Sequence, residues 1–201
     1  MHLPPEIFLF VLSSSITPGP NNVMIMTSGL NHGVRKSLPH LLGINLGFTV
    51  MLLVVGMGLG TLFETFPLLH TGIKLSGMLY LLYLAWKIAI TPTGPSAEKK
   101  AKPLTFFEAA IFQWLNPKAW VMITGAVATY TSQSFNIHIQ VLMIAGIFLA
   151  LGPSCTATWL FGGVTLKRFL SQPQYLKAFN VSMALLLVLS VRPVIVEFFF
   201  S

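Results

Sequence analysis

Apolar residues come in six runs of about 20, separated by short polar loops, and few folds other than a membrane-crossing bundle accommodate that pattern. A helix crossing the hydrocarbon layer needs about 20 mostly apolar residues. The runs span roughly 5–29, 38–62, 67–90, 105–130, 137–163 and 178–199. Only 8% of the 201 residues are charged, against about 25% in soluble domains. The expectation is an all-α integral membrane protein forming one domain. A net charge of +7 could suit nucleic acid, but that needs a continuous basic face, and here the basic residues sit in clusters between apolar runs. The chain has no aspartate, and its glutamates are Glu6, Glu64, Glu98, Glu108 and Glu197. The single Cys155 can form no internal disulfide and reads as packing. The N-terminus lacks a basic n-region and a small-x-small cleavage site, so the first run reads as a retained span.

Lysine and arginine set the expected orientation. Arg35 and Lys36 follow run 1, Lys87, Lys99, Lys100 and Lys102 surround the connection after run 3, and Lys167, Arg168 and Lys177 follow run 5. The loops after runs 2 and 4 and the N-terminal tail carry no lysine or arginine, and only Arg192 goes against the pattern. By the positive-inside rule the basic loops are cytoplasmic, which leaves both termini outside.

The polar linker "TPTGPSAEKKAKP", about 91–103, divides the chain into a first repeat of about 1–90 and a second of about 104–201. Each opens on an interrupted run, "TPGPNNVMIMTSG" and "WLNPKAWVMITGA". Superposing them pairs Pro20 with Pro117, Ile25 with Met122 and Thr27 with Thr124. Three spans per repeat is an odd number, so the repeats would be inverted relative to each other. Breaks at matching places in inverted repeats point to a transporter's substrate site. Pro18 and Pro20 would break the helix and free carbonyls, with Gly19 allowing a turn between them. The restarted helix near Asn21 would offer N–H groups to a carboxylate, and Asn21 and Asn22 would add neutral hydrogen-bonding groups. The alternative is a kink satisfied by neighbouring helices.

With these residues in view, "ITPGPNN", "GLNHGVRKS", "LLGINLG" and "FQWLNPKAW" together resemble the LysE/RhtB family of amino-acid exporters, and the likeness runs through all six runs. "YLAWKIA" resembles the branch that includes the cysteine and O-acetylserine exporter. The resemblance implies a bacterial inner-membrane protein that exports small amino acids, with the proton gradient as the usual driving force. It maps its first signature onto Thr17, Pro18, Gly19, Pro20, Asn21 and Asn22, and its second onto Asn116, Pro117 and Lys118. It also maps a basic turn onto Gly33 and Arg35 and a glycine pair onto Gly43 and Gly47. Many members carry an aspartate where this chain has Phe48, so the natural proton carrier is absent.

Glu108 and His40 are then the proton-coupling candidates. Glu108 stands one turn before Gln113 and the Asn116 break, with Lys118 its partner in sequence; the alternative is a place at the cytoplasmic interface. His40 can titrate near neutral pH, although a lone histidine at a helix start is commonly interfacial. Lys118 could attract a substrate carboxylate or neutralise the cavity. Arg35 and Lys36 read as topology anchors or gate residues. Asn45 is a polar candidate on the glycine face; Gly43, Gly47, Gly56, Gly58 and Gly60 read first as helix packing. The expected partners are a small amino acid, protons and the bilayer. Glycine-lined faces in so small a chain also suit a homodimer, and no cofactor or metal is called for. No GxxxxGK[ST] stretch occurs, which argues against direct ATP drive. One entering proton is worth about 2.3 kcal/mol per 100 mV, enough for roughly a 40-fold outward gradient. A passive facilitator for small polar metabolites is the alternative. An intramembrane enzyme is disfavoured by the absence of aspartate and the scatter of His2, His32, His40, His70 and His138.

Overall fold

A computed structural model describes residues 4–59, 67–91, 102–132, 135–167, 169–170 and 172–200. Among these, every regular element is helical. The helices are α1 (Glu6–Ile16), α2 (Pro20–Val54, continued by a π-helical turn, Val55–Leu59), α3 (Pro67–Ala89), α4 (Phe106–Leu115), α5 (Pro117–Tyr130), α6 (Ile137–Lys167) and α7 (Pro173–Phe200). Most of the linker (92–101) and the end of the second run (60–62), with Gly60, lie outside the described residues. Pro20–Gly58 and Ile137–Lys167 are long and apolar enough to cross a membrane by length and composition.

Both expected interruptions are present, and proline chemistry explains their positions. A residue before proline is pushed out of the helical region by the pyrrolidine ring. Thr17 (φ −63°, ψ 147°), Gly19 (φ −177°, ψ 175°) and Asn116 (φ −90°, ψ 109°) are all extended. Pro20 and Pro117 each open the following helix, where the missing N–H costs nothing.

A third bend came from glycine. Gly33 has φ 76° and ψ 176°, a region open essentially to glycine alone. The Ser28 and Ser37 hydroxyls are 2.7 Å apart. Along a straight helix, nine residues would span roughly 13 Å. The chain therefore doubles back at Gly33, and α2 consists of two arms, one before and one after that residue.

Two glycine seams bring helices into backbone contact. On the first arm of α2, Gly29 lies against the Leu160 carbonyl of α6, and Gly163 of α6 lies against the Met26 carbonyl. On the second arm, Gly43 meets Phe106 and Ala109, and Gly47 meets Ala110, all on α4. Gly43 and Gly47 thus stand at a helix crossing, and Gly56 likewise abuts Val141. Gly58 differs in its backbone: its φ of 132° is one that L side chains rarely adopt.

The largest core cluster joins α1, α2, α5 and α6 around Ile7, Met51, Ile123 and Phe148. A second joins α2, α3, α4 and α7 around Met24, Leu81, Phe112 and Leu187. The outer surface is apolar as well. Leu38, Leu42, Leu46, Val50 and Val54 form an exposed stripe along one side of α2. A water-facing helix would place polar groups there, whereas lipid favours this arrangement.

Candidate functional site

The break between α1 and α2 frees the last carbonyls of α1, which must find partners at depth. Each of them does. Ser13 O accepts the Thr17 N–H at 3.2 Å, and Ser14 O accepts the Thr17 hydroxyl at 2.9 Å. Asn22 Nδ2 donates to Ser15 O at 2.7 Å and to Thr17 O at 2.9 Å. Trp159 Nε1 of α6 donates to Ile16 O at 2.9 Å. Lys118 Nζ of α5 donates to Thr17 O at 2.7 Å, to Thr17 Oγ1 at 2.9 Å and, more weakly, to Pro18 O at 3.4 Å. Three other helices thus cap the end of α1.

The second break is built differently. Asn116 accepts the Lys118 N–H through its own side chain at 3.1 Å, so the N-terminus of α5 is capped. No side chain caps the N-terminus of α2. The two breaks are tied together by a reciprocal amide pair: Asn21 Nδ2 donates to Gln113 Oε1 at 2.7 Å, and Gln113 Nε2 donates to Asn21 Oδ1 at 3.1 Å. Gln113 Nε2 also donates to Ala109 O at 2.8 Å.

Between the breaks lies a cavity of about 50 Å³. At roughly 10–15 Å³ per water by this measure, it holds about four waters. Four waters displace on the order of 120 Å³ of liquid, the bulk of a small metabolite. Gly19, Asn21, Asn22, Asn45, Asn116 and Lys118 line it. Six of the sequence candidates therefore converge on one space. Thr17, Pro18, Pro20, Gln113 and Pro117 are not part of the lining; they shape the breaks behind it. The lining also includes Ser14 and Ser15 of α1, and Phe148, Gly152 and Thr156 of α6, which the sequence reading missed. The Gly152–Pro153 pair, in the middle of an apolar run, was the available signal for α6. Phe48 lines the cavity too, its ring 5.0 Å from that of Phe148. An aromatic wall therefore occupies the position where the resemblance suggested an acid. Asn45 donates to Leu41 O at 2.8 Å, and its Oδ1 lies 3.4 Å from the Thr156 hydroxyl.

Three expectations need correction. Gly19 does not supply a turn: its extended backbone suits any residue. Its value is space, because a Cβ there would lie 2.6 Å from Lys118 Cδ. Glu108 does not pair with Lys118. It forms a capping box with Thr105, whose N–H and hydroxyl donate to its carboxylate at 2.8 Å each, and it is exposed. The signature "TFFE" carried this information, since T-x-x-E is the pattern of such a box. His40 is not a surface histidine either: it is 1% exposed, and neither ring nitrogen has a hydrogen-bond partner among the described residues. Arg35 and Lys36 are exposed just beyond the Gly33 turn.

The capping role makes a prediction for Glu108. Glu108→Gln keeps the cap, because glutamine serves in the same box, and removes the carboxylate. If Glu108 serves only the cap, the amino-acid release of cells that produce this variant should stay within twofold of that with the wild type. A collapse of release at matched membrane levels would return Glu108 to the proton-coupling candidates.

Residues 12–191 match the LysE type translocator family. Cysteine/O-acetylserine efflux proteins of Escherichia coli K12 and Shigella sonnei Ss046 are each 31% identical over 89% of this chain and 90% of their own length. The corresponding protein of Escherichia coli O1:K1 is 30% identical over the same share. No solved structure matches the chain. A family match across nearly the whole chain, with both signature segments converging on one cavity, assigns it: the chain belongs to the LysE type translocators, a family of membrane transporters.

Proposed function

We propose that the protein is a secondary exporter of small neutral amino acids or their derivatives, with cysteine and O-acetylserine the first candidates because the similar proteins are named for their efflux. The observation that carries this reading is the cavity between the two breaks, lined by amides, serines and a single lysine. Its size suits a small zwitterion. The uncapped start of α2 presents N–H groups and a positive dipole end to a carboxylate.

Alternating access would come from two inverted three-span repeats, with both termini on the outer face of the bacterial inner membrane. Three features support the repeat. Pro20 and Pro117, paired by sequence, both open helices. The Thr27 and Thr124 hydroxyls each donate to the carbonyl four residues back. The seams also correspond: run 1 packs on run 5 through Gly29 and Gly163, and run 4 packs on run 2 through Gly43 and Gly47. Exchanging the repeats exchanges the seams.

Proton antiport is the proposed drive. With Glu108 committed to its cap, the coupling role passes to His40, which is buried with no hydrogen-bond partner among the described residues. A passive facilitator remains the second reading because, among the described lining residues, Lys118 alone is ionisable. The test is amino-acid release from bacteria overproducing the protein, profiled by mass spectrometry with and without a protonophore. Selective build-up of one or two small amino acids against their gradient, stopped by the protonophore and by His40→Gln, is the expected result. Release that continues downhill in the presence of the protonophore would favour the facilitator. An unchanged profile with the protein inserted would sink the amino-acid assignment.

A further inference from the structure

Lys118 occupies an unusual position. It comes from the start of α5, crosses to the other break, and places its ammonium on three oxygens of Thr17 and Pro18. Its stem lies over Gly19, where only a missing Cβ makes room. The same side chain lines the cavity. Among the lining residues no carboxylate is present to neutralise it, so backbone and hydroxyl oxygens are its partners there. The oxygens it holds are those that a substrate ammonium would seek, since broken-helix carbonyls are the usual cation ligands at membrane depth.

From this geometry we infer that Lys118 is a substrate-operated latch. Between turnovers its ammonium fills the oxygen cage at the end of α1 and fastens the two breaks together. A zwitterion opens the latch by giving its carboxylate to Lys118, beside the uncapped start of α2, and its own ammonium to the Thr17 and Pro18 oxygens. One ion–dipole contact is exchanged for an ion pair and an ion–dipole contact, and the cross-link between the two breaks passes through the substrate. A molecule with only one of the two charges cannot complete the exchange. The latch thus selects α-amino acids as a class, and it rests on the export reading above.

The test separates a latch from a plain carboxylate anchor. Wild type and Lys118→Met are reconstituted in liposomes, and L-cysteine counterflow is inhibited with cysteamine, which lacks the carboxylate, or 3-mercaptopropionate, which lacks the ammonium. In the wild type both should inhibit at least tenfold more weakly than L-cysteine itself. In Lys118→Met the cage is vacated, so cysteamine should bind at least tenfold more tightly than it does to the wild type, while L-cysteine weakens. An unchanged cysteamine constant, with only L-cysteine weakened, overturns the latch in favour of an anchor. Hydrogen exchange across Thr17–Asn22 decides the matter without a cargo. Lys118→Met without ligand should exchange this segment at least fivefold faster than wild type, and equal rates overturn the latch. Should Lys118→Met not fold, Thr17→Val, which removes one cage oxygen, should speed the same exchange about twofold, and no change there overturns it. Absence of counterflow with any amino acid in wild type would instead count against the export reading, and the ligand-free exchange result would still stand.

Discussion

Replacing Asn22 with alanine should reduce export at least tenfold while the protein still inserts in the membrane. Asn22 is 5% exposed, and its amide donates to both Ser15 O and Thr17 O. Lys118 still serves Thr17 O in the variant, but Ser15 O is left without a donor. An orphaned buried acceptor costs about 1–3 kcal/mol, and here the cost falls on the segment that shapes the cavity. Asn22→Asp should be at least as severe, because a carboxylate cannot donate and would face carbonyl oxygens. Asn21→Ala also removes the donor to a buried acceptor, Gln113 Oε1, but it should be milder, since that amide belongs to a side chain that can rotate, whereas the Ser15 carbonyl is fixed in the backbone. Export measured for the three variants at matched membrane levels checks the order. Equal effects at Asn21 and Asn22 would mean that the carbonyl accounting does not govern transport.

The largest effect on folding is expected from Gly163→Val. A Cβ at this position meets the Met26 carbonyl, and lies 3.0 Å from Leu30 N. Both obstacles are backbone, so no side chain can turn aside. Overpacking typically costs about 1–3 kcal/mol even where side chains can adjust, and a rigid helix crossing gives less relief. Gly29 presses on the Leu160 carbonyl at the same crossing, so α6 and the first arm of α2 cannot separate at one point alone. Stability of a protein is commonly only about 5–15 kcal/mol, and the variant should lose most of its folded yield by size-exclusion chromatography in detergent. Gly162→Val is the control one residue earlier, where nothing lies within 4 Å; it should behave as wild type. Similar losses at both positions would show that helix propensity, not the seam, sets the cost.

The two seams also explain how a small cavity persists between the two helix breaks. Glycine contacts let helices approach to backbone distance, which keeps the bundle tight around Met26 and Ala110. The polar residues are gathered at the breaks instead. Thus the stiff parts of the molecule and its hydrogen-bonded centre are different residues, and substitutions in the two should separate folding yield from transport.

Much of this was legible in the chain itself, for reasons that act locally. The pre-proline restriction acts on one residue at a time, so Pro18, Pro20 and Pro117, together with the polar residues beside them, pointed to the interruptions at Thr17–Gly19 and at Asn116, whereas Pro39 and Pro153 lie inside helices. Apolar composition over about 20 residues pointed to helices that face lipid, and the exposed stripe from Leu38 to Val54 has that character. The capping box of Thr105 and Glu108 was also legible, since it spans three residues. Reading Glu108 by its charge rather than by its place at a helix start hid it.

What tertiary structure alone decided were the partners. Lys118 reaches Thr17 across 101 residues, Trp159 reaches Ile16 across 143, and Asn21 reaches Gln113 across 92. None of these follows from spacing, because each depends on where the glycine seams let separate helices approach. The sequence by itself therefore determined where the helices break and which residue types stand there. Only packing determined that the freed carbonyls are already filled, that Gly19 makes room for a lysine, and that Phe48 walls the cavity. Local sterics act through neighbours in the chain, whereas hydrogen-bond satisfaction is settled by whatever the folded bundle brings within about 3 Å.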